Sequence, residues 1–155
     1  MVRRFNVLSG ELSVERDRSG YAWRGRRGVA CELGLGWLGA SIYDLPADQW
    51  TFPYHYHHGV EEWLYVAAGA PSLRDAAGER VLTPGDLVCF PSGRDGAHAV
   101  RGPGRVVMFS GVPAAGATSV SVYPDSDKLG VRPPGDGPER LDFRRDEAVD
   151  YWDGE

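Results

Sequence analysis

The sequence predicts an all-β domain, a sandwich or closed barrel, and three observations carry that reading. Short runs rich in β-branched and aromatic residues recur along the chain. Turn signals stand between them. Glycine (21) and proline (11) are abundant in the 155 residues, which suits many short elements joined by tight turns and does not suit a bundle of long helices.

The elements follow in order. Gly36 to Leu45 reads as a strand and ends at the turn Pro46-Ala47-Asp48. Thr51 to His57 has alternating character. Glu62 to Ala67 is aromatic and apolar, and Gly69 closes it. Pro71 to Arg74 and Glu79 to Leu82 flank Asp75-Ala76-Ala77-Gly78, a hairpin signature. The turn Thr83-Pro84-Gly85-Asp86 precedes a buried strand, Leu87 to Phe90. Ala97 to Arg101 and Arg105 to Ser110 flank Gly102-Pro103-Gly104. Thr118 to Tyr123 is the last alternating strand, and Gly130 to Pro138 reads as a loop. A short helix is expected over Arg145 to Trp152, in a tail packed on the barrel or on a second subunit. No repeat or linker divides the chain, so residues 1–155 read as one domain. Its core is expected at about 37–123, with a C-terminal arm over 124–155.

Hydrophobic residues make up 42% and charged residues 25%, an ordinary soluble composition. The net charge of -5 argues against a nucleic-acid partner or an acidic membrane surface, both of which favour a basic face. Lys128 is the only lysine. Arg24, Arg26 and Arg27 form a local basic stretch between glycines, read as a solvated turn. Two cysteines make no disulfide framework, and Cys89, inside an apolar run, reads as core filler. No apolar run approaches the ~20 residues of a membrane span, and no signal peptide is visible. A cytoplasmic protein is expected.

The chemistry concentrates in the histidines. There are four, and three of them, His55, His57 and His58, fall within four residues. Residues i and i+2 of a strand share a face, so His55 and His57 can present two imidazoles to one point. Glu61 and Glu62 follow across a short loop. His98 opens a later strand that could close the site from across the barrel. Three neutral imidazoles and a carboxylate suit a divalent transition metal.

Pro53 to Gly69 (PYHYHHGVEEWLYVAAG) resembles the first motif of the cupin superfamily: HxH, three or four residues, Glu, six residues, Gly. His55, His57, Glu62 and Gly69 fill its positions, and the gap to Gly69 selects Glu62 over Glu61. Pro84 to His98 (PGDLVCFPSGRDGAH) resembles the second motif through Gly85, Pro91, Gly93 and His98. Two departures stand out. Gln49 replaces the usual glycine six residues before the first histidine, and four residues, Arg94 to Ala97, separate Gly93 from His98 where two are usual. The resemblance covers Gln49 to about Ser110. It implies a double-stranded β-helix, or jelly roll, with His55, His57, Glu62 and His98 holding one Fe(II), Mn(II), Ni(II), Zn(II) or Co(II) ion per chain. It also implies a homodimer.

Other residues take plainer expectations. Glu61 is expected to point outward on strand alternation, with a local bulge as the way it could replace Glu62. His58 is expected at the rim or behind the ligands. Tyr54, Tyr56, Trp63 and Tyr65 are expected to pack sheets or a dimer, Leu64 and Val66 to face inward, and Phe90 and Phe109 to serve core or pocket wall. Glu61, His58 and Tyr65 are the candidate acid–base groups.

The function expected is a mononuclear metal-dependent cupin enzyme on a small organic molecule. Dioxygenase chemistry is favoured slightly over isomerase or lyase chemistry, by analogy with the family. The alternatives are a metal-dependent binder or sensor of a small molecule, and an apo structural barrel. An enzyme requires a pocket with a titratable group within reach of bound substrate; a binder predicts a closed or purely apolar pocket.

Overall fold

The structure is a computed structural model, and it describes residues 1–111, 118–133 and 140–155. Thirteen strands are found among the described residues, and every pairing between them is antiparallel. In chain order they are β1 (Val14–Arg16), β2 (Trp23–Arg26), β3 (Leu38–Leu45), β4 (Tyr56–His58), β5 (Glu62–Gly69), β6 (Ser72–Asp75) and β7 (Gly78–Val81). Then come β8 (Leu87–Phe90), β9 (Ala99–Arg101), β10 (Gly104–Gly111), β11 (Ser119–Tyr123), β12 (Lys128–Arg132) and β13 (Leu141–Arg144).

One layer is the six-stranded sheet β1-β2-β3-β10-β5-β8. The other combines the sheets β13-β12-β11-β4 and β7-β6-β9. Isolated bridges at Trp50↔Arg101 and His55↔His98 stitch these two together. The result is a double-stranded β-helix. Leu45, Leu64, Val66, Leu73, Val100 and Val106 belong to the core cluster, each 5% exposed or less. Burial of such side chains contributes roughly 1.5–3 kcal/mol apiece.

Gly69 shows why a glycine is required after β5. Its φ is +82°, and a Cβ there would lie 2.6 Å from the Gly104 Cα. The β5–β10 register shifts at Arg105/Val106, beside this close approach.

A second apolar cluster lies on the outer face of the six-stranded sheet. Ile42 and Val107 are covered there by Phe5, Val7, Leu12 and a single helical turn, α1 (Val29–Glu32). That turn was not expected from the sequence. Val29 and Ala30 form it by burying themselves on the sheet.

Several expectations are corrected. Arg145 to Trp152 is a series of turns, with Ala148 N–H donating to Arg145 O and Asp153 N–H to Asp150 O, so the C-terminal part is an arm without a helix. Residues 140–155 are exposed throughout, and so short a segment cannot hold a helix without packing. The Asp150 carboxylate also takes the Trp152 N–H, competing with a helical ladder. The Leu87–Phe90 strand is an edge strand. Leu87 (58% exposed) and Cys89 face outward, so Cys89 is no core filler. Arg24 and Arg26 lie on β2 and pair with Glu15 and Glu32, so they form no turn. The strand expected over Thr51 to His57 is confined to β4. Of the loop expected over Gly130 to Pro138, residues 130–132 are strand and 134–138 lie outside the described residues. No helix among the described residues is long and apolar enough to cross a membrane.

Candidate metal centre

The structure groups three of the four candidate ligands, His55, Glu62 and His98, and His57 adjoins that group beside Glu62. His55 and His98 are antiparallel bridge partners: His55 N–H donates to His98 O at 3.1 Å and His98 N–H to His55 O at 2.9 Å. His57 lies on β4, two residues on from His55 and on the same face. Glu62 opens β5 in the opposite layer. On β5 the alternation sends Glu62, Leu64 and Val66 inward, while Trp63 (44% exposed) and Tyr65 (37% exposed) face out.

Donor atoms of His55, Glu62 and His98 all lie within 4.8 Å of one another. The Nε2 of His57 stands 3.2 Å from Glu62 Oε2, and that of His98 3.6 Å. Each ring has its other nitrogen occupied. His55 Nδ1 is 2.8 Å from Pro53 O, His98 Nδ1 is 2.8 Å from Gly96 O, and His57 Nδ1 is 3.0 Å from Ser121 Oγ. The two carbonyls accept, so Nδ1 of His55 and His98 carries the proton and Nε2 presents a lone pair. His98 also stacks on Phe90 with ring centroids 3.6 Å apart, and His55 on Tyr123 at 5.6 Å.

Electrostatics agree with that tautomer. Burial, with the neighbouring histidines, lowers the His55 pKa to about 3, and burial holds His98 below its ordinary value. Burial pushes the Glu62 carboxyl up. His57 beside it and the other imidazoles outweigh that, so it lies below the ordinary carboxylate range. Glu62 Oε2 and His98 Nε2 are buried without a hydrogen-bond partner. Two acceptors facing each other at 3.6 Å cannot satisfy one another. A cation between them does, and imidazole with carboxylate suits a divalent transition metal.

The site opens into a cavity of about 590 Å³ lined by residues of both layers. Ser41 and Tyr43 reach it from β3, Met108 and Ser110 from β10, and Tyr123 from β11. Burial raises the Tyr43 phenol above its ordinary pKa, so it keeps its proton and can donate. None of the three candidate acid–base groups lines this cavity. His58 is exposed with its ring against Tyr56, Glu61 is exposed just ahead of β5, and Tyr65 is on the outer face. Phe90 belongs to the core, and Phe109 packs on the outer cluster while reaching the cavity edge.

The two departures from the motifs have local roles. Gln49 Oε1 accepts the Ala22 N–H at 3.0 Å, tying the segment before the first histidine to the N-terminal strands. Arg94–Gly96 forms a 3-10 turn that delivers the Gly96 carbonyl to His98. Sequence reasoning missed Ser41 and Tyr43. Strand alternation in β3 placed them on one face, but Ile42 on the other face is equally apolar, so the pattern did not say which face was inside.

The family model described as cupin domain matches residues 41–111, a stretch that contains all four candidate ligands. Among solved structures, a sugar phosphate isomerase of the cupin superfamily from Silicibacter pomeroyi is 22% identical, over 97% of this chain and 98% of its own, with TM-score 0.73. A protein from Acidithiobacillus ferrooxidans described as a candidate sugar phosphate isomerase is 23% identical, over 92% and 88%, with TM-score 0.74. A polyketide cyclase from Streptomyces resistomycificus is 19% identical, over 71% and 77%, with TM-score 0.54. No curated protein matches the sequence.

Proposed function

Because this chain belongs to the cupin superfamily, we propose that it is a mononuclear metal-dependent enzyme acting on a small oxygenated organic molecule, with His55, His57, Glu62 and His98 as the metal ligands. One observation carries the reading: Glu62 Oε2 and His98 Nε2 are buried, face one another and make no hydrogen bond. A divalent ion held there supplies Lewis-acid polarisation of a substrate carbonyl or hydroxyl. The chain's own groups do the rest. Pro53 O, Gly96 O and Ser121 Oγ hold the three imidazoles in orientation. Tyr43 and Ser41 offer hydroxyls to substrate oxygens, and Phe52 and Met108 form an apolar side of the cavity.

A polar cavity with a proton-bearing phenol favours an enzyme over a passive binder, whose pocket would be closed or purely apolar. Its hydroxyl lining favours a polyhydroxylated substrate, and with it isomerase or lyase chemistry over dioxygenase chemistry. Two neighbours that cover 92% and 97% of the chain are described as a candidate sugar phosphate isomerase and a sugar phosphate isomerase, which makes isomerisation the first reaction to test.

The test is solvent-deuterium incorporation next to the carbonyl of a panel of hydroxyketones and hydroxyaldehydes, followed by NMR. Protein reconstituted with Fe(II), Mn(II), Ni(II), Zn(II) or Co(II) is expected to exchange that hydrogen with at least one ion and substrate. His57→Ala, which removes a proposed ligand, is expected to lower the rate by at least ~100-fold, since loss of even an outer contact to a metal ligand typically costs 10–100-fold. No exchange with any of the five ions overturns the isomerase reading.

A further inference from the structure

The cavity above the candidate metal centre has a charge opposite to that of the chain. Six of its lining residues are cationic: Arg16, Arg18, Arg27, Lys128, Arg132 and Arg140. Two are acidic, Glu62 and Asp142, in a chain whose net charge is -5. Glu62 belongs to the candidate metal centre, and Asp142 is already paired with Arg140. Among the described residues, Arg16, Arg18, Arg27, Lys128 and Arg132 make no ion pair. The other arginines of β1 to β3 and β10 behave differently: Arg24, Arg26 and Arg105 each face outward onto a carboxylate. Cations crowded around one opening without counter-ions repel one another, and an anion in their midst removes that cost.

The fold brings them to one opening from both layers. On β1, Arg16 pairs in register with Trp23 and its guanidinium lies 5.3 Å from that buried ring, while Glu15 points away to Arg24. Arg27 follows β2 by alternation from Trp23 and Gly25, beside Ser41 and Tyr43. On the opposite layer, Lys128 is the register partner of Tyr123, the residue stacked on His55. Its ammonium lies 5.3 Å from that ring. Gly130 stands in register with Ser121, which is itself paired with His57. A Cβ on Gly130 would come 2.7 Å from the Arg140 guanidinium, so the absent side chain makes room for that cation. All six cations lie outside residues 41–111, the stretch that matches the cupin domain and carries the candidate ligands. The segments flanking that domain therefore contribute the charge.

We propose that the substrate of this site is a small phosphorylated molecule, a phosphate monoester whose dianion is held by Arg16, Arg18, Arg27, Lys128 and Arg132 while its oxygenated end faces the metal centre; the second clause rests on the function proposed above, the first does not. Phosphate is favoured over carboxylate by the direction of approach. The cations converge from both layers, and a tetrahedral group with three terminal oxygens accepts donors from several sides. A planar carboxylate presents one edge, which a single guanidinium satisfies.

The test uses the full chain stripped of metal with a chelator, so that no ion can hold the probe, and titrates it with methyl phosphate, inorganic phosphate and succinate by calorimetry. Saturable binding of both phosphates is expected, weakening as ionic strength rises. Arg27→Gln and Lys128→Gln are each expected to raise Kd at least tenfold. Arg80→Gln, on an exposed hairpin pair with Asp75, is expected to stay within twofold of wild type, and Lys128→Arg, which keeps the charge, is expected to bind more tightly than Lys128→Gln. Absence of saturable phosphate binding, or binding indifferent to both neutralised variants, overturns the proposal. Succinate bound as tightly as methyl phosphate overturns the phosphate assignment and leaves a general dianion site. Metal uptake by the same protein, re-incubated with Fe(II), Mn(II), Ni(II), Zn(II) or Co(II), separates the two readings: uptake of an ion by a protein that binds no phosphate overturns the phosphate site alone, and phosphate binding by a protein that takes up none of the five ions overturns the metalloenzyme alone.

Discussion

His55 and His98 show how a side chain is set before any ion arrives. Each is buried, each gives its Nδ1 proton to a backbone carbonyl two residues earlier, and each resists taking a second proton. The cost of that arrangement appears in the pH dependence of stability. The unfolded chain protonates these imidazoles near their ordinary 6.5, while the folded chain holds His55 unprotonated to about 3. Stability is therefore complete above about pH 6.5 and falls as the pH drops towards 3. The loss reaches about 1.4 kcal/mol per pH unit for each group. Glu62, whose folded pKa is depressed, adds its own loss only at lower pH, below the ordinary carboxylate range. Urea unfolding of metal-stripped protein at pH 7.5 and pH 5 isolates the histidines. A drop of up to about 2 kcal/mol is expected from His55, with a further loss of the same sign from His98. An unchanged midpoint would mean that these rings are open to water. The ligand candidates were legible in the sequence because their spacing is short-range. The groups behind them were not: Ser121 is 64 residues from His57, and nothing local to either announces the pair.

At the scale of elements, the 3-10 turn Arg94–Gly96 links backbone geometry to metal affinity. A Cβ on Gly96 would fall 1.9 Å from Pro91 O. Gly96→Ala must therefore move the turn, and with it the carbonyl that orients His98. Loss of such an outer contact typically costs 10–100-fold in metal affinity. A chelator-competition titration is expected to show at least tenfold weaker metal binding in Gly96→Ala, and equal affinities would contradict the role given to this turn. The extra residues before His98 were visible in the sequence as a departure from the motif, but their use was not, since it depends on where Pro91 sits. The same limit explains the misread elements. Leu87 to Phe90 looks buried because apolar runs do not reveal whether a strand lies at an edge. Arg145 to Trp152 looks helical by local preference, yet nothing packs against it.

At the scale of the whole molecule, the jelly roll divides its work between a central stretch and its flanks. Residues 41–111 hold the candidate ligands in a frame made rigid by the core cluster between the layers. The flanks extend both layers, β1 and β2 on one side and β12 and β13 on the other, and bring their cations to the mouth. The all-β class and the central motifs were readable from turn signals and spacing. The basic mouth was not, because its two groups of residues, Arg16 to Arg27 and Lys128 to Arg140, stand at opposite ends of the chain and the net charge conceals them. Arg27 in particular reads as part of a solvated turn until β2 and β3 place it beside Tyr43. The proposed chemistry depends on the metal. Elemental analysis of the purified protein, beside a His55→Ala/His98→Ala variant shown to be folded by circular dichroism, is the most direct test. About one divalent transition-metal ion per chain, lost in the variant, is the predicted result for a single His3Glu site. A wild-type protein that holds no metal after incubation with Fe(II), Mn(II), Ni(II), Zn(II) and Co(II) would contradict it.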